Sequence, residues 1–251
     1  MAARTTVGFL YPGYAAEDDY PLAEKLLGPG VALPVVHTSV GEDAHRLDAL
    51  LDLGGADRLA EGAQRLRPFG VDAVVWACTS ASFVFGWEGA REQVDALRRT
   101  LDVPASSTSF AFVHAARALG VARVAVAATY PEDVTSQFVE FLGRGGVEVV
   151  RLSSQGIPTA VEAGALGRRE VLGLAADNDH PDAEAVLLPD TALHTVAWLE
   201  ELEERLGKPV LTANQVSVWE GLRLARHTGP RAGLGTLFRR LPVHQEDRSD
   251  G

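Results

Sequence analysis

The chain has 251 residues, a formal net charge of −11 and a hydrophobic content of 46%. This length suits one large or two small domains, and the apolar content is ample for a core. The acidic balance argues against binding of nucleic acid or of anionic membrane surfaces. No apolar run reaches the ~18 residues that a membrane-spanning helix needs. The single cysteine excludes an intramolecular disulfide and fits a reducing compartment, so a cytoplasmic location is expected.

Strand and helix signals alternate along the first half of the chain. Short apolar runs predict strands at 6–11, 32–40, 73–77 and 103–107. Helical spacing of apolar residues predicts helices at 19–27, 43–67 with a break at its two glycines, 89–101, and a last helix that ends at Leu119-Gly120. Such alternation indicates parallel sheets with helical crossovers.

The second half repeats this plan. Tyr130-Pro131 lies 119 positions after Tyr11-Pro12 (130 − 11), and Asp190-Thr191 lies 112 positions after Cys78-Thr79 (190 − 78). Solenoid repeats are usually ~20–50 residues long, so a period near 115 residues favours two lobes of similar topology. The alternative is chance similarity between two βα units. The prediction is an α/β protein with two pseudo-symmetric parallel-sheet lobes, Rossmann-like or flavodoxin-like, which face each other across a central cleft.

The repeat also predicts the domain boundaries. Residues 1–120 form the N-terminal lobe, with room for the C-terminal segment to pack back on it. Residues 121–228 form the C-terminal lobe. Residues 229–251 form a tail, which is polar from residue 241 and is expected to fray.

Candidate chemistry is concentrated where the predicted strands end, since ligands of open α/β sheets bind beyond the carboxyl ends of strands. Cys78 follows the strand at 73–77 and is a base or nucleophile, or else an inert buried thiol. The hydroxyls of Thr79 and Ser80 suit an oxyanion hole, or they cap a helix. Asp190 is the opposing acid or base, or the cap of a helix that begins near residue 192.

Two further side chains complete the predicted site. Thr191 offers the second lobe's counterpart of Thr79, and Tyr130 offers a hydroxyl for hydrogen bonding, unless it is a core aromatic. No P-loop, dinucleotide fingerprint or zinc-ligand spacing occurs in the sequence, so we expect neither a cofactor nor a metal.

The segments 77–84, 129–130, 188–195 and 212–224 resemble the aspartate/glutamate racemase superfamily, in particular its branch of maleate cis–trans isomerases and arylmalonate decarboxylases. The resemblance spans nearly the whole chain. It implies two pseudo-symmetric α/β lobes, no cofactor, a small carboxylate substrate and a homodimer.

The same resemblance assigns roles to individual positions. Cys78 matches the cysteine that attacks substrate in the isomerases, where the decarboxylase has glycine. Thr79 and Ser80 match the oxyanion-hole pair of the decarboxylase, and Tyr130 matches a tyrosine that binds the substrate carboxylate. Asp190 replaces the second cysteine, which is the proton donor of the decarboxylase.

The loop after the first strand also departs from the pattern. Pro12 begins the loop where the isomerases and racemases carry an asparagine that binds a carboxylate, and this chain has no asparagine there. We still expect Pro12 to contact substrate, but the departure argues against a maleate-like dicarboxylate.

Three functions follow in order. The first is a cofactor-independent isomerase or racemase of a small carboxylic acid, with Cys78 as nucleophile or base and Asp190 opposite. The alternative is a decarboxylase of a malonate-type acid that works through an enediolate. The second alternative is a protein that binds a small carboxylate without turnover, because Asp190 stands at a cysteine position.

Overall fold

The computed structural model describes residues 4–227 and 229–239. The strands in this part of the chain are β1 Thr5–Pro12, β2 Val31–Ala32, β3 Val35–Thr38, β4 Ala73–Trp76, β5 Ala105–Ser107, β6 Arg123–Ala128, β7 Glu148–Ser154, β8 Ala185–Leu188 and β9 Val210–Thr212. The α-helices are α1 Asp19–Leu27, α2 Leu47–Leu53, α3 Ala56–Leu66, α4 Ser80–Phe83, α5 Gly86–Leu101, α6 Thr108–Leu119, α7 Glu132–Arg144, α8 Ala160–Gly164, α9 Arg168–Asp177, α10 Leu199–Leu206, α11 Ala213–Leu224 and α12 Gly235–Arg239.

The strands form two parallel sheets with the same internal order. In the first sheet β1 pairs with β2 and β3 on one side and with β4 on the other, and β4 pairs with β5. In the second sheet β7, β6, β8 and β9 follow one another in that order. Because β6 and β8 thus take the places of β1 and β4, the predicted pair of pseudo-symmetric α/β lobes is confirmed.

Two local predictions were wrong. The strand expected at 32–40 is divided into β2 and β3 at Leu33-Pro34, where the proline has no N–H to donate to a neighbouring strand. The helix expected near residue 192 does not form, since a turn occupies this stretch and the next helical residues are the 3₁₀ turn Val196–Trp198. The helix is absent because the backbone groups that it would pair are bound elsewhere: the Thr195 and Val196 N–H groups donate to Asp19, and the Thr191 carbonyl accepts from side chains.

Each lobe's last helix packs on the opposite lobe. Helix α11, which follows the final strand of the second sheet, lies against β1, β4 and β5 of the first sheet. Helix α6 follows the final strand of the first sheet and contacts α7 of the second lobe, with Phe112 against Phe138. This reciprocal packing joins the two lobes through apolar contacts, and Gly221 is a position at which α11 comes close to β1.

Substitution of Gly221 by alanine is expected to destabilise the fold. A Cβ atom at Gly221 would lie 2.2 Å from Cγ1 of Val7, which is in β1. Overpacking of this kind costs about 1–3 kcal/mol. The control is Gly173→Ala in α9, where a Cβ meets no atom within 4 Å, and where the better helix propensity of alanine gains up to about 1 kcal/mol. Denaturant unfolding of both variants measures the difference, and equal stabilities would contradict the expected contact.

The first part of the predicted tail contains a helix. Helix α12 lies within the segment assigned to the tail, and Thr236 and Arg239 donate hydrogen bonds to the buried Glu203 of α10. The polar stretch from residue 241 lies outside the described residues, and the division of the chain into domains stays a prediction. None of the helices among residues 4–227 and 229–239 is long and apolar enough to cross a membrane.

Candidate active site

A cavity of about 140 Å³ lies between the two lobes, at the carboxyl ends of their central strands. Pro12, Cys78 and Ser80 line it from the first lobe, and Asp190 and Thr191 line it from the second. Pro12 is the last residue of β1, and Cys78 and Asp190 each lie two residues after the end of a strand, β4 and β8 respectively. The structure therefore brings five of the seven predicted site residues to one cavity.

Cys78 lies in the wall of the cavity and is 3% exposed. Its Sγ atom is 3.8 Å from the Ser80 hydroxyl. Burial raises the pKa of the thiol to about 12; the Ala81 N–H and the Ser80 hydroxyl and N–H oppose this shift, and the negative charge of Asp190 adds to it. The thiol is thus protonated at neutral pH, which suits a proton donor better than a nucleophile.

The raised pKa has a direct consequence for labelling. The thiolate is the reactive form, and at pH 8 a thiol with a pKa about 12 holds roughly a thousandth of the thiolate of a free cysteine, whose pKa is about 8.5. Iodoacetamide should therefore alkylate the folded protein at least about 100-fold more slowly than the same chain in denaturant. Cys78 is the only cysteine, so mass spectrometry reads this site alone. Equal rates in both states would contradict the buried, protonated thiol.

Thr79 and Tyr130 are fully buried beside the cavity residues. Burial, together with the negative charge of Asp190, holds the pKa of the Tyr130 phenol well above its ordinary value, and the nearby Thr79 and Ser80 side chains oppose this shift. Tyr130 donates its proton to the Pro189 carbonyl at 3.0 Å, so contact with a carboxylate requires the hydroxyl to turn.

The Thr79 hydroxyl differs from the other polar groups beside the cavity in its hydrogen bonding. Among the described residues its buried Oγ1 has no hydrogen-bond partner of normal geometry. Thr79 immediately precedes α4 without making a side-chain capping bond, so the capping alternative is not supported for this residue. Buried hydroxyls are normally satisfied, so the Thr79 hydroxyl is available to a ligand that reaches it.

Asp190 is positioned by two donors. Its Oδ2 accepts from the Thr129 hydroxyl, and its Oδ1 accepts from the Ala192 N–H at 2.9 Å. The carboxylate is 3% exposed and stabilises the turn that follows β8. Both bonds use the carboxylate as an acceptor, so they hold the Asp190 side chain in a fixed position after β8.

A buried network that the sequence analysis missed fixes the Thr191 wall. The Thr191 carbonyl accepts from the Tyr11 hydroxyl and from the Asn214 amide. Asn214 also donates to Asp19, whose carboxylate accepts from the N–H groups of Thr195 and Val196. Tyr11 and Asp19 make their contacts in this network with residues more than 170 positions away, so no local sequence pattern could have indicated them.

The rest of the cavity wall is apolar and acidic. Its larger aliphatic side chains are Val40, Leu50, Leu53 and Val161, its aromatic side chains are Tyr11 and Tyr14, and its other ionisable side chains besides Cys78 and Asp190 are Glu42, Asp43 and His45. Among the residues that line the cavity there is no lysine or arginine. In the part of the chain that the structure describes, no group of three or more His, Cys, Asp or Glu side chains is arranged to hold a metal ion.

Comparison with known proteins shows to which family this chain belongs. The profile of the arylmalonate decarboxylase family matches residues 53–238. This chain belongs to the arylmalonate decarboxylase family. It is 30% identical to the arylmalonate decarboxylase of Bordetella bronchiseptica, over 95% of this chain and 98% of that protein.

Two further similarities agree with this assignment. The chain is 26% identical to the maleate isomerase of Geobacillus stearothermophilus, over 61% of this chain and 63% of that protein. Its fold matches a ligand-bound double mutant of arylmalonate decarboxylase, in which a cysteine replaces a glycine and a serine replaces a cysteine, with a TM-score of 0.80, 27% identity, and coverage of 93% of this chain and 98% of the other. The prediction of an enzyme of the isomerase or decarboxylase type is confirmed, as is the racemase-like superfamily.

Proposed function

We propose that the protein decarboxylates 2-substituted malonates and that Cys78 protonates the resulting enediolate. The observation that carries the proposal is the protonated, buried thiol in the cavity wall. The sequence alone placed an isomerase first and a decarboxylase second. A thiol with a raised pKa reverses that order, because addition to a double bond needs a thiolate whereas protonation of an enediolate needs the thiol.

The reaction balances without a further reagent. The bond between the substituted carbon and one carboxylate breaks, carbon dioxide leaves, and its electron pair forms an enediolate on the remaining carboxylate. The Cys78 S–H bond then breaks and its proton joins the carbon. The thiolate recovers a proton from solvent, so each turnover of a malonate dianion consumes one proton and yields one monocarboxylate.

The surroundings of Cys78 support both steps. The hydroxyls of Thr79 and Ser80 are donors for the enediolate oxygens, where developing negative charge is stabilised most strongly in a site that excludes water. The apolar side chains Leu50 and Leu53 remove water from the carboxylate that leaves. They also offer an apolar surface to the substituent on the malonate carbon.

The cysteine pattern adds support from the family. The ligand-bound double mutant of arylmalonate decarboxylase gains one cysteine in place of glycine and loses another. This chain has the same arrangement naturally if the positions correspond as its resemblance implies: Cys78 stands where the decarboxylase has glycine, and Asp190 stands where it has cysteine.

An isomerase of a small unsaturated carboxylate is the second candidate. It is favoured by the similarity to the Geobacillus stearothermophilus maleate isomerase together with a thiol in the cavity wall. It would require the bound substrate to be attacked by a thiolate, which the burial of Cys78 and the charge of Asp190 both oppose.

The test is an incubation in deuterium oxide followed by NMR. The panel holds phenylmalonate, methylphenylmalonate, alkylmalonates and maleate. We expect carbon dioxide release from substituted malonates, with one deuterium on the product carbon, and no conversion of maleate. Conversion of maleate to fumarate without malonate turnover would overturn the proposal in favour of the isomerase. The cytoplasmic location and the homodimer stay predictions from the sequence.

A further inference from the structure

His45 is a cavity residue to which the sequence analysis gave no role. It lies in the loop before α2, is 8% exposed and lines the cavity together with Cys78 and Ser80. Its ring stands edge-on against the Tyr130 ring, with centroids 4.9 Å apart and an interplanar angle of 88°. The imidazole is therefore next to the hydroxyl cluster that the proposed reaction uses.

The loop that carries His45 is fixed to the second lobe. The His45 N–H donates to the Pro158 carbonyl at 2.7 Å. Asp43 accepts from the N–H groups of Ala160 and Val161 at 2.9 and 3.2 Å. These bonds hold the loop across the cavity, with residues from both lobes on its rim, so the imidazole has a defined position.

One hydrogen bond determines which ring nitrogen of His45 is free to contact a ligand in the cavity. His45 Nδ1 is 2.8 Å from the Ile157 carbonyl oxygen. A carbonyl only accepts, so Nδ1 carries a proton in either charge state. Nε2 has no protein partner among the described residues. In the neutral ring it presents a lone pair, and in the imidazolium it presents an N–H donor.

The charge of the cavity points to the imidazolium when a carboxylate is bound. Glu42, Asp43 and Asp190 line the cavity beside the neutral Cys78, and no lysine or arginine lines it. A malonate dianion would add two negative charges to this wall. His45 is the one side chain in the cavity lining that can become cationic, and a buried charge is stable only when it is paired.

We propose that His45 is the cationic carboxylate-binding residue of this cavity, with its Nε2–H donating to a carboxylate oxygen of the ligand. This role of His45 rests on the proposed function, because both require the ligand to be a carboxylate. It adds the positive charge that balances the bound carboxylate, which the neutral hydroxyls of Thr79 and Ser80 do not provide. Because Nδ1 already donates to the Ile157 carbonyl, Nε2 can donate only in the imidazolium, so a neutral ring gains a proton when it binds the carboxylate in this way.

Proton uptake on binding is therefore the diagnostic measurement. The probe is phenylacetate, which has a single carboxylate and cannot lose carbon dioxide as a malonate does. Isothermal calorimetry at pH 8 in phosphate and in Tris, which differ in ionisation enthalpy, gives the number of protons taken up. We expect close to one proton for the wild type. Phenylmalonate turnover is measured on the same preparations.

The variant is His45→Asn. The asparagine amide reaches the place of Nδ1 and can keep the bond to the Ile157 carbonyl, whereas nothing replaces Nε2. We expect phenylacetate binding to weaken by about 10- to 100-fold, the effect of a charge-assisted hydrogen bond, and proton uptake to vanish. His180→Gln is the control, because His180 lies in the loop between α9 and β8 and does not line the cavity.

Each outcome separates this assignment from the proposed function. Binding by the wild type without proton uptake, equal uptake by His45→Asn, or no binding at all would overturn the role of His45. Proton uptake that depends on His45, combined with no turnover of any malonate, would support the carboxylate site and remove the decarboxylase. Malonate turnover that is unchanged in KM and pH profile in His45→Asn would remove the role of His45 and leave the decarboxylase.

Discussion

Replacement of Cys78 by alanine is expected to lower kcat for malonate decarboxylation by about 10²- to 10⁴-fold, the usual contribution of a positioned general acid. The thiol is protonated, lies in the cavity wall and is not used in any structural bond stronger than its 3.8 Å contact with Ser80. KM should change little, because the substrate's carboxylates are bound by other groups. The measurement is the initial rate of carbon dioxide release together with circular dichroism of the variant.

The control for this substitution is Ser82→Ala. Ser82 is buried in the short helix α4 that follows Cys78, donates to the Ser107 hydroxyl at 2.8 Å and does not line the cavity. It should retain activity within a few-fold. A Cys78→Ala enzyme as fast as the wild type would show that the proton comes from another source and would contradict the mechanism.

The symmetry of the lobes adds a stereochemical consequence. Cys78 and Asp190 follow equivalent strands, β4 and β8, and line the same cavity from opposite lobes. Cys78 should therefore protonate one face of the enediolate, and a proton donor at position 190 should protonate the opposite face. The double variant Cys78→Ala/Asp190→Cys should make the opposite enantiomer of 2-phenylpropionate from methylphenylmalonate, as chiral chromatography would measure.

The sequence was sufficient for the parts of the fold that local patterns determine. The apolar run before Cys78 and the equivalent run before Asp190 both became central strands because buried parallel strands need continuous apolar residues. The repeat then placed both residues at one cleft. The prediction of a helix near residue 192 was wrong, since the Thr195 and Val196 N–H groups donate to the Asp19 carboxylate and not to helical carbonyls.

The site could be predicted only in part, for a physical reason. Cys78, Ser80 and Asp190 lie within a few residues after the ends of β4 and β8, so topology brings them together. His45 depends instead on backbone carbonyls at 157 and 158, more than 110 positions away, and a carbonyl has no sequence signature. The protonated state of Cys78 likewise depends on total burial, which no motif encodes.

Substitution of Thr79 by valine should reduce kcat by about 10²- to 10³-fold, the effect of removing one oxyanion donor. Valine is close to isosteric with threonine and lacks the hydroxyl. In the folded protein that hydroxyl is buried and makes no hydrogen bond of normal geometry with the described residues, so its loss removes no stabilising contact. The free energy of unfolding should consequently stay unchanged or rise, because burial of an unsatisfied polar group costs about 1–3 kcal/mol. Decarboxylation kinetics and denaturant unfolding of the same preparation measure the two effects.

The opposite signs of these two effects distinguish a catalytic hydroxyl from a structural one. A threonine retained for packing or for capping α4 would lose stability on conversion to valine, whereas a donor reserved for the enediolate loses only rate. Thr79→Ser restores the hydroxyl without the methyl group and should recover most of the activity while it loses stability through the small cavity that remains. Two results would contradict the catalytic role of Thr79: a fully active Thr79→Val variant, or a variant that loses activity only in proportion to its loss of stability. Thr79 would then have a structural role, and Ser80 would be the hydroxyl donor beside Cys78.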